Sequence, residues 1–218
     1  YAFRGKYLLE ANLRRDGSSR FSDGQRWGWF PSASVGWRIS EEDFMADVTF
    51  LQDLKVRGSY GRLGNDAIGN YPYQSNYLLR SYPLGGALNP ATGLELYPNS
   101  GLTWETTDIA NVGVDFTLFN RLNVTLDVFD KKTKNILLEL PIPGAVGLLS
   151  PWQNAASVRN RGWELSLNYN QPVNEDLRFN VAFNLSDVRN EILDLKGTDF
   201  NSTDGNGLNV GNYVGRPI

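Results

Sequence analysis

Seven runs of residues alternate apolar and polar side chains with a period of two. The connections between them alternate long and short, and aromatic residues gather at both ends of the apolar faces. Together these predict an all-β fold, an antiparallel up-and-down transmembrane β-barrel, of which this chain supplies about seven strands.

The runs are Lys6–Arg14, Arg26–Ile39, Leu54–Gly61, Ala110–Leu118, Leu122–Phe129, Gly162–Asn170 and Leu177–Ser186. In Arg26–Ile39 the apolar set is Trp27, Trp29, Pro31, Ala33, Val35, Trp37 and Ile39. The other face carries Gly28, Ser32, Ser34, Gly36 and Arg38, with Phe30 the exception. Pro31 removes a ladder donor, so a bulge is expected there. Alternation alone is also what a soluble sandwich shows. The connections separate the two. Arg15–Gln25, Arg62–Asp108, Asp130–Asn160 and the segment from Asp187 onward are the long ones, in alternation with the medium Ser40–Asp53 and the tight Phe119–Arg121 and Gln171–Asp176. In an up-and-down sheet this puts long loops at one end and short turns at the other, whereas Greek-key connections mix the ends. In the medium connection, a helical turn capped by Ser40 is expected. Several runs reach about 9–11 residues, enough to cross the hydrocarbon layer at a tilt.

The aromatic residues complete the picture. Trp27 and Trp29 lie at one end of their apolar face and Trp37 near the other, and Trp163 and Tyr169 bracket Leu165 and Leu167. Amphipathic rings favour the two bilayer interfaces, so these five are the expected membrane-interface aromatics. The remaining rings of the long connections, Tyr71, Tyr73, Tyr77, Tyr82, Tyr97, Trp104 and Trp152, are candidates for stacking on a ligand. Glu10, Asn12, Arg14, Lys55, Arg57, Asp115, Asp127, Glu164 and Arg178 fall on the polar face and are expected to pair inside a lumen, away from lipid.

Composition limits the chemistry. The 218 residues include no cysteine and no histidine, which removes disulfides, thiolate sites and the commonest general base. A formal charge of −3 gives no reason for nucleic-acid binding. No window is long and apolar enough for a transmembrane helix. Glu105 and Asp108 are neighbouring carboxylates with nothing visible to tune them as an acid–base pair. Gly61–Gly69 is glycine-rich but lacks the lysine–serine ending of a phosphate loop. Asp199–Val210 places oxygen ligands at alternate positions, yet Val210 stands where a calcium loop needs a bidentate Glu. The expectation is therefore a protein that is not an enzyme and holds no metal or cofactor.

Five segments also resemble a known family. Leu13–Phe21 (LRRDGSSRF), Gly28–Met45 (GWFPSASVGWRISEEDFM), Leu54–Asn65 (LKVRGSYGRLGN), Gly101–Leu137 and Asn154–Tyr169 (NAASVRNRGWELSLNY) are similar, in order, to the barrel of SusC/RagA-type TonB-linked (TonB-dependent) outer-membrane transporters. The ending VGRPI resembles a segment late in that barrel. The resemblance implies a barrel of about 22 strands, with residues 1–218 part of that one domain and the plug domain and remaining strands absent from this chain. It implies import of glycans or peptides across the outer membrane of Bacteroidota, TonB coupling through the plug, and a SusD-like surface lipoprotein as partner. The alternative from the residues alone is a soluble carbohydrate-binding or adhesive β-sandwich. That sandwich would bury Trp27, Val35, Leu165 and Val181 in a shared core.

Overall fold

Side chains that alternate in character along a strand must sort onto opposite faces of a sheet. In the computed structural model they do so on a single open sheet. Residues 1–140, 142–197, 200–203 and 209–218 are described, with 200–203, 209 and 210 by their backbone alone. The strands are β1 (Ala2–Phe3), β2 (Tyr7–Gly17), β3 (Trp27–Arg38), β4 (Leu51–Asn65), β5 (Tyr77–Leu84), β6 (Ala87–Leu94), β7 (Glu105–Leu118), β8 (Leu122–Glu139), β9 (Trp152–Pro172), β10 (Arg178–Asp194), β11 (Phe200–Thr203) and β12 (Asn209–Asn212). Eight form one antiparallel sheet in the order β1-β2-β3-β4-β7-β8-β9-β10, and β5–β6 and β11–β12 are separate hairpins.

The register aligns the apolar positions of every long strand. One rung runs Tyr7, Trp37, Val56, Val114, Leu126, Leu165, Leu185. The neighbouring rung on the other face runs Leu8, Gly36, Arg57, Gly113, Asp127, Glu164, Ser186. A one-residue slip in any strand would mix the two faces, so the pattern excludes odd shifts of register. Among the described residues no second sheet covers the apolar face: Trp27 is 58% exposed, Val35 56% and Val181 55%. The sandwich alternative is thereby overturned.

All seven long strands are present, and most outrun their expected limits. β8 has 18 residues and β9 has 21, beyond the ~9–11 that a bilayer needs. Their upper parts carry mixed charge, as in Lys131–Lys134, and so lack the apolar alternation that marks a strand in sequence. The hairpin β5–β6, inside the expected loop Arg62–Asp108, also lacks that alternation, its strands being interrupted by Pro83, Pro90 and Gly93.

Three local expectations are corrected. β2 and β3 pair without a break through Leu13↔Pro31, so there is no bulge between them; the β3–β4 ladder ends at Ser32↔Gly61, and Pro31 lies just past it, where no donor toward β4 is needed. The ring of Phe30 fills the opening this leaves, and a Cβ on Gly64 would stand 2.2 Å from it. Ser40 caps nothing: it lies within the 3-10 turn Ile39–Glu41, and its hydroxyl donates to Asp53 Oδ1 at 3.3 Å. The turn after β7 is tight as expected, with Phe119 and Asn120 both left-handed (φ 54° and 55°) and the Arg121 N–H donating to Leu118 O. That is the primed turn whose twist suits a hairpin.

Apart from Val124, near the short-turn end, the buried hydrophobic residues gather at the long-loop end. Phe21, Phe30, Ile68, Leu102, Trp104 and Leu137 form one cluster, with Tyr73 and Trp152 packed on it. Ala156, Val158, Ile192 and Leu195 form a second.

Candidate functional site

The polar face offers a wall lined by small residues. Ser34, Gly36 and Ser59 leave a hollow of about 640 Å³, bordered by Glu10, Lys55, Arg57 and Asn111. Its charge is organised across β7. Arg57 on β4 donates to Asp115 at 2.9 Å and, over the backbone of β7, to Asp127 on β8 at 2.6 Å. Gly113 makes that crossing possible, because a Cβ there would lie 2.6 Å from Arg57 Cζ and 2.7 Å from Asp127 Oδ1. Thr125 adds a hydrogen bond to Asp115 at 3.1 Å, while Asp127 Oδ1 is buried with no hydrogen-bond partner among the described residues. Of the charges expected on this face, Arg57, Asp115 and Asp127 are thus brought together. Gly113 was not singled out in the sequence, since only the register shows that it separates two charges.

At the long-loop end a second hollow, of about 390 Å³, is lined by Tyr97, Asn99, Pro143, Val146, Pro151 and Gln153 among others. Backbone contacts between two loops hold it: Leu96 bridges Leu149, and the Leu149 N–H donates to Glu95 O at 2.9 Å. Asn99 Nδ2 donates to Trp152 O at 2.9 Å and so ties the hollow to the start of β9. Prolines give both walls a rigid backbone. Their convergence depends on loops far apart in the chain, which no local pattern announces.

The seven candidate rings divide. Tyr97 lines this hollow. Tyr77 and Tyr82 stand on the β5–β6 hairpin, Tyr77 at 73% exposure. Tyr71 is exposed and meets Tyr73 edge-on, with ring centroids 6.4 Å apart. Tyr73 and Trp152 are partly buried against the apolar cluster. Trp104 is only 8% exposed, packs on Phe21 and Phe30, and its Nε1 donates to Arg26 O at 3.1 Å. It holds the loop base, with little surface left for a ligand.

The expected interface aromatics all lie on the apolar face. Trp27 and Trp29 are near the long-loop end, with Arg15 over both rings at 4.4 and 5.3 Å. Trp37 is near the short-turn end, stacked on Tyr7 with centroids 6.5 Å apart. There Glu42 Oε1 accepts from Tyr7 Oη at 2.7 Å and from Trp37 Nε1 at 2.9 Å, and Lys6 Nζ bonds Oε2 at 3.1 Å. The Tyr7 hydroxyl first, then Trp37 and Lys6, hold the Glu42 carboxyl down at about 2.

Catalytic and metal alternatives gain nothing. Glu105 and Asp108 point to opposite faces of β7: Glu105 accepts from Asn65 and the Leu137 N–H, and Asp108 from Arg62, Lys134 and Tyr60. In the segment Asp199–Val210, Asp199 and residues 204–208 lie outside the described residues. No group of three or more potential metal ligands converges among the described residues.

Comparison with known proteins agrees with this geometry. The family described as "TonB dependent receptor-like, beta-barrel" matches residues 1–217. The chain is 39% identical over 220 residues to TonB-dependent receptor P39 of Formosa agariphila, covering 99% of this chain and 21% of that protein. It is 35% identical over 206 residues to TonB-dependent receptor SusC of Bacteroides thetaiotaomicron, covering 91% of this chain and 20% of that protein. Among solved structures, the RagAB peptide importer in its closed-closed state superposes with a TM-score of 0.86 at 29% identity, over 99% of this chain and 23% of that one. The chain thus spans about a fifth of the length of the curated relatives it matches. An apolar outer face, a polar inner wall and long loops at one end are the parts of a barrel wall, and the chain belongs to the TonB-dependent receptor β-barrel family of the bacterial outer membrane.

Proposed function

We propose that the protein of which this chain is part imports an oligosaccharide or a peptide across the outer membrane, driven through TonB. The chain itself supplies a sector of the barrel wall and its extracellular loops. The observation that carries this reading is the two-faced sheet. Its apolar rungs suit lipid, and its polar face keeps small residues and paired charges beside an open hollow, as a passage for a hydrated ligand requires. SusC and the RagAB peptide importer, both similar to this chain, fit the same activity. In this reading the remaining strands, a plug and its TonB contact lie elsewhere in the whole protein.

Ligand capture is assigned to the loop end. Tyr97 in its proline-walled hollow is the leading contact, with Tyr71 and Tyr77, exposed on the same connection between β4 and β7, as further flat, sparsely polar surfaces for a sugar ring or a peptide side chain. One face of the β5–β6 hairpin presents Tyr77, Leu79, Leu88 and Leu94 to solvent, a surface suited to a SusD-like lipoprotein partner.

The test is uptake of fluorescent oligosaccharide and peptide libraries by cells carrying the full-length protein. Tyr97→Ala is expected to reduce uptake of the accepted ligand about tenfold, the worth of one well-stacked ring. Loss of TonB is expected to abolish uptake. Equal uptake in cells lacking the protein would overturn the reading.

A further inference from the structure

The apolar face ends toward the long loops in two rungs of charge. Beyond the rung that carries Val112, Val128 and Trp163 comes Tyr60, Ala110, Asp130, Arg161, Arg189, and then Arg62, Asp108, Lys132, Arg159, Glu191. Four of these eight charges are held in ion pairs. Arg62 pairs with Asp108 at 2.6 Å, Lys134 reaches the same carboxylate at 2.9 Å, and Arg159 pairs with Asp130.

Arg161 and Arg189 are different. They face each other directly across β9 and β10, an arrangement that costs stability unless an anion lies between or above them. Asp130, the carboxylate opposite Arg161, is bound to Arg159, and Arg161 makes no ion pair among the described residues. Arg189 comes no closer than 4.0 Å to Asp187 and is 90% exposed along its side chain. Below the two guanidinium groups is a groove of about 550 Å³ whose apolar floor is Ala110, Val112, Val128 and Trp163, with the carboxylates of Asp130 and Asp187 also in its lining.

A cationic rim over an apolar floor is complementary to an amphiphile with an anionic head. The floor continues the lipid-facing band, and the long-loop end of an outer-membrane barrel faces the outer leaflet. Charges at that depth cost little, while the same charges at mid-membrane would be expelled. Paired guanidinium forks match phosphate oxygens better than ammonium groups do. We propose that Arg161 and Arg189 bind the phosphorylated headgroup of an outer-leaflet glycolipid, with its acyl chains against Val112, Val128 and Trp163.

The site rests on outer-membrane location alone, so uptake activity and lipid binding can fail separately. The test uses the full-length protein purified in mild detergent from outer membranes, with bound lipid identified by mass spectrometry. The stripped protein is then titrated with diphosphorylated lipid A and with its dephosphorylated form. R161A/R189A is expected to lower retained diphosphorylated lipid about tenfold, the size of one lost charge-assisted hydrogen bond. R161K/R189K is expected to retain more than R161A/R189A but less than the unaltered protein, since the charge remains while the planar fork is lost. Heat-modifiable migration on a gel shows that each variant is folded. Equal retention by R161A/R189A, equal binding of the dephosphorylated form, or a protein bound on this face in place of lipid would overturn the proposal.

Discussion

The two ends of the sheet are held by different physics. At the short-turn end, Lys6, Tyr7, Trp37 and Glu42 form a small polar network around one carboxylate, and the chain reverses in tight turns. At the long-loop end, Phe21, Phe30, Leu102 and Trp104 are buried together and the loops leave from that cluster. A two- or three-residue turn needs only its backbone hydrogen bonds. A loop that runs from Asn65 to Glu105 has an ordering entropy that such bonds do not offset, and it needs apolar burial at its base. The tips, freed from that task, can then present Tyr77 and Tyr97 outward.

Removing Trp104 should break this contrast most strongly. Trp104→Ala empties a site enclosed by Phe21 and Phe30 and is expected to cost about 3–5 kcal/mol. The loss should show as rapid proteolysis within residues 66–104 of the full-length protein, while the barrel stays folded. Tyr77→Ala, at an exposed tip, should leave cleavage unchanged. If the barrel unfolded with the loop, the ends would not be independent.

The band between the ends sharpens the comparison next. Val114 lies on the apolar face between Val56 and Leu126, and Asn111 lies on the polar face of the same strand. Val114→Arg should destabilise folding into lipid vesicles by about 2–4 kcal/mol. Asn111→Arg should shift it by no more than about 0.5 kcal/mol. Urea titrations followed by tryptophan fluorescence read both, and equal effects would contradict the assignment of faces.

The smallest effect belongs to the short-turn end. The Glu42 carboxyl is held at about 2, below its ordinary value near 4.5. A depressed carboxylate stabilises the fold above its unfolded pKa, and that contribution fades as pH falls from about 4.5 to about 2. Local order at Trp37 should therefore persist at neutral pH and weaken over that window, and Glu42→Gln should remove the dependence. The long-loop cluster has no titrating group in its core and should show no change there.

Much of the sheet is legible in sequence because lipid imposes a strict rule. Where β3, β7 and β8 face hydrocarbon, every second residue must be apolar, and the pattern marks the strand. The rule lapses beyond the membrane. Asp130 to Lys134 continues β8 with charge on both faces, so the strand there is invisible to periodicity. The aromatics of the apolar face are readable as members of that face for the same reason as the strands. The candidate ligand rings were not separable, because Trp104 and Tyr97 look alike in a loop until packing decides which is enclosed.

By itself the sequence determined which residues are strands in the membrane, which face of each is apolar, and which end carries the long loops. Those properties follow from local alternation against a uniform solvent. Only the tertiary structure decided that Gly113 lets Arg57 reach Asp127, that Phe30 closes the gap between β3 and β4, and that Arg161 stands opposite Arg189. Each of these depends on register between strands remote in the chain, and register is a property of pairs that no single strand encodes.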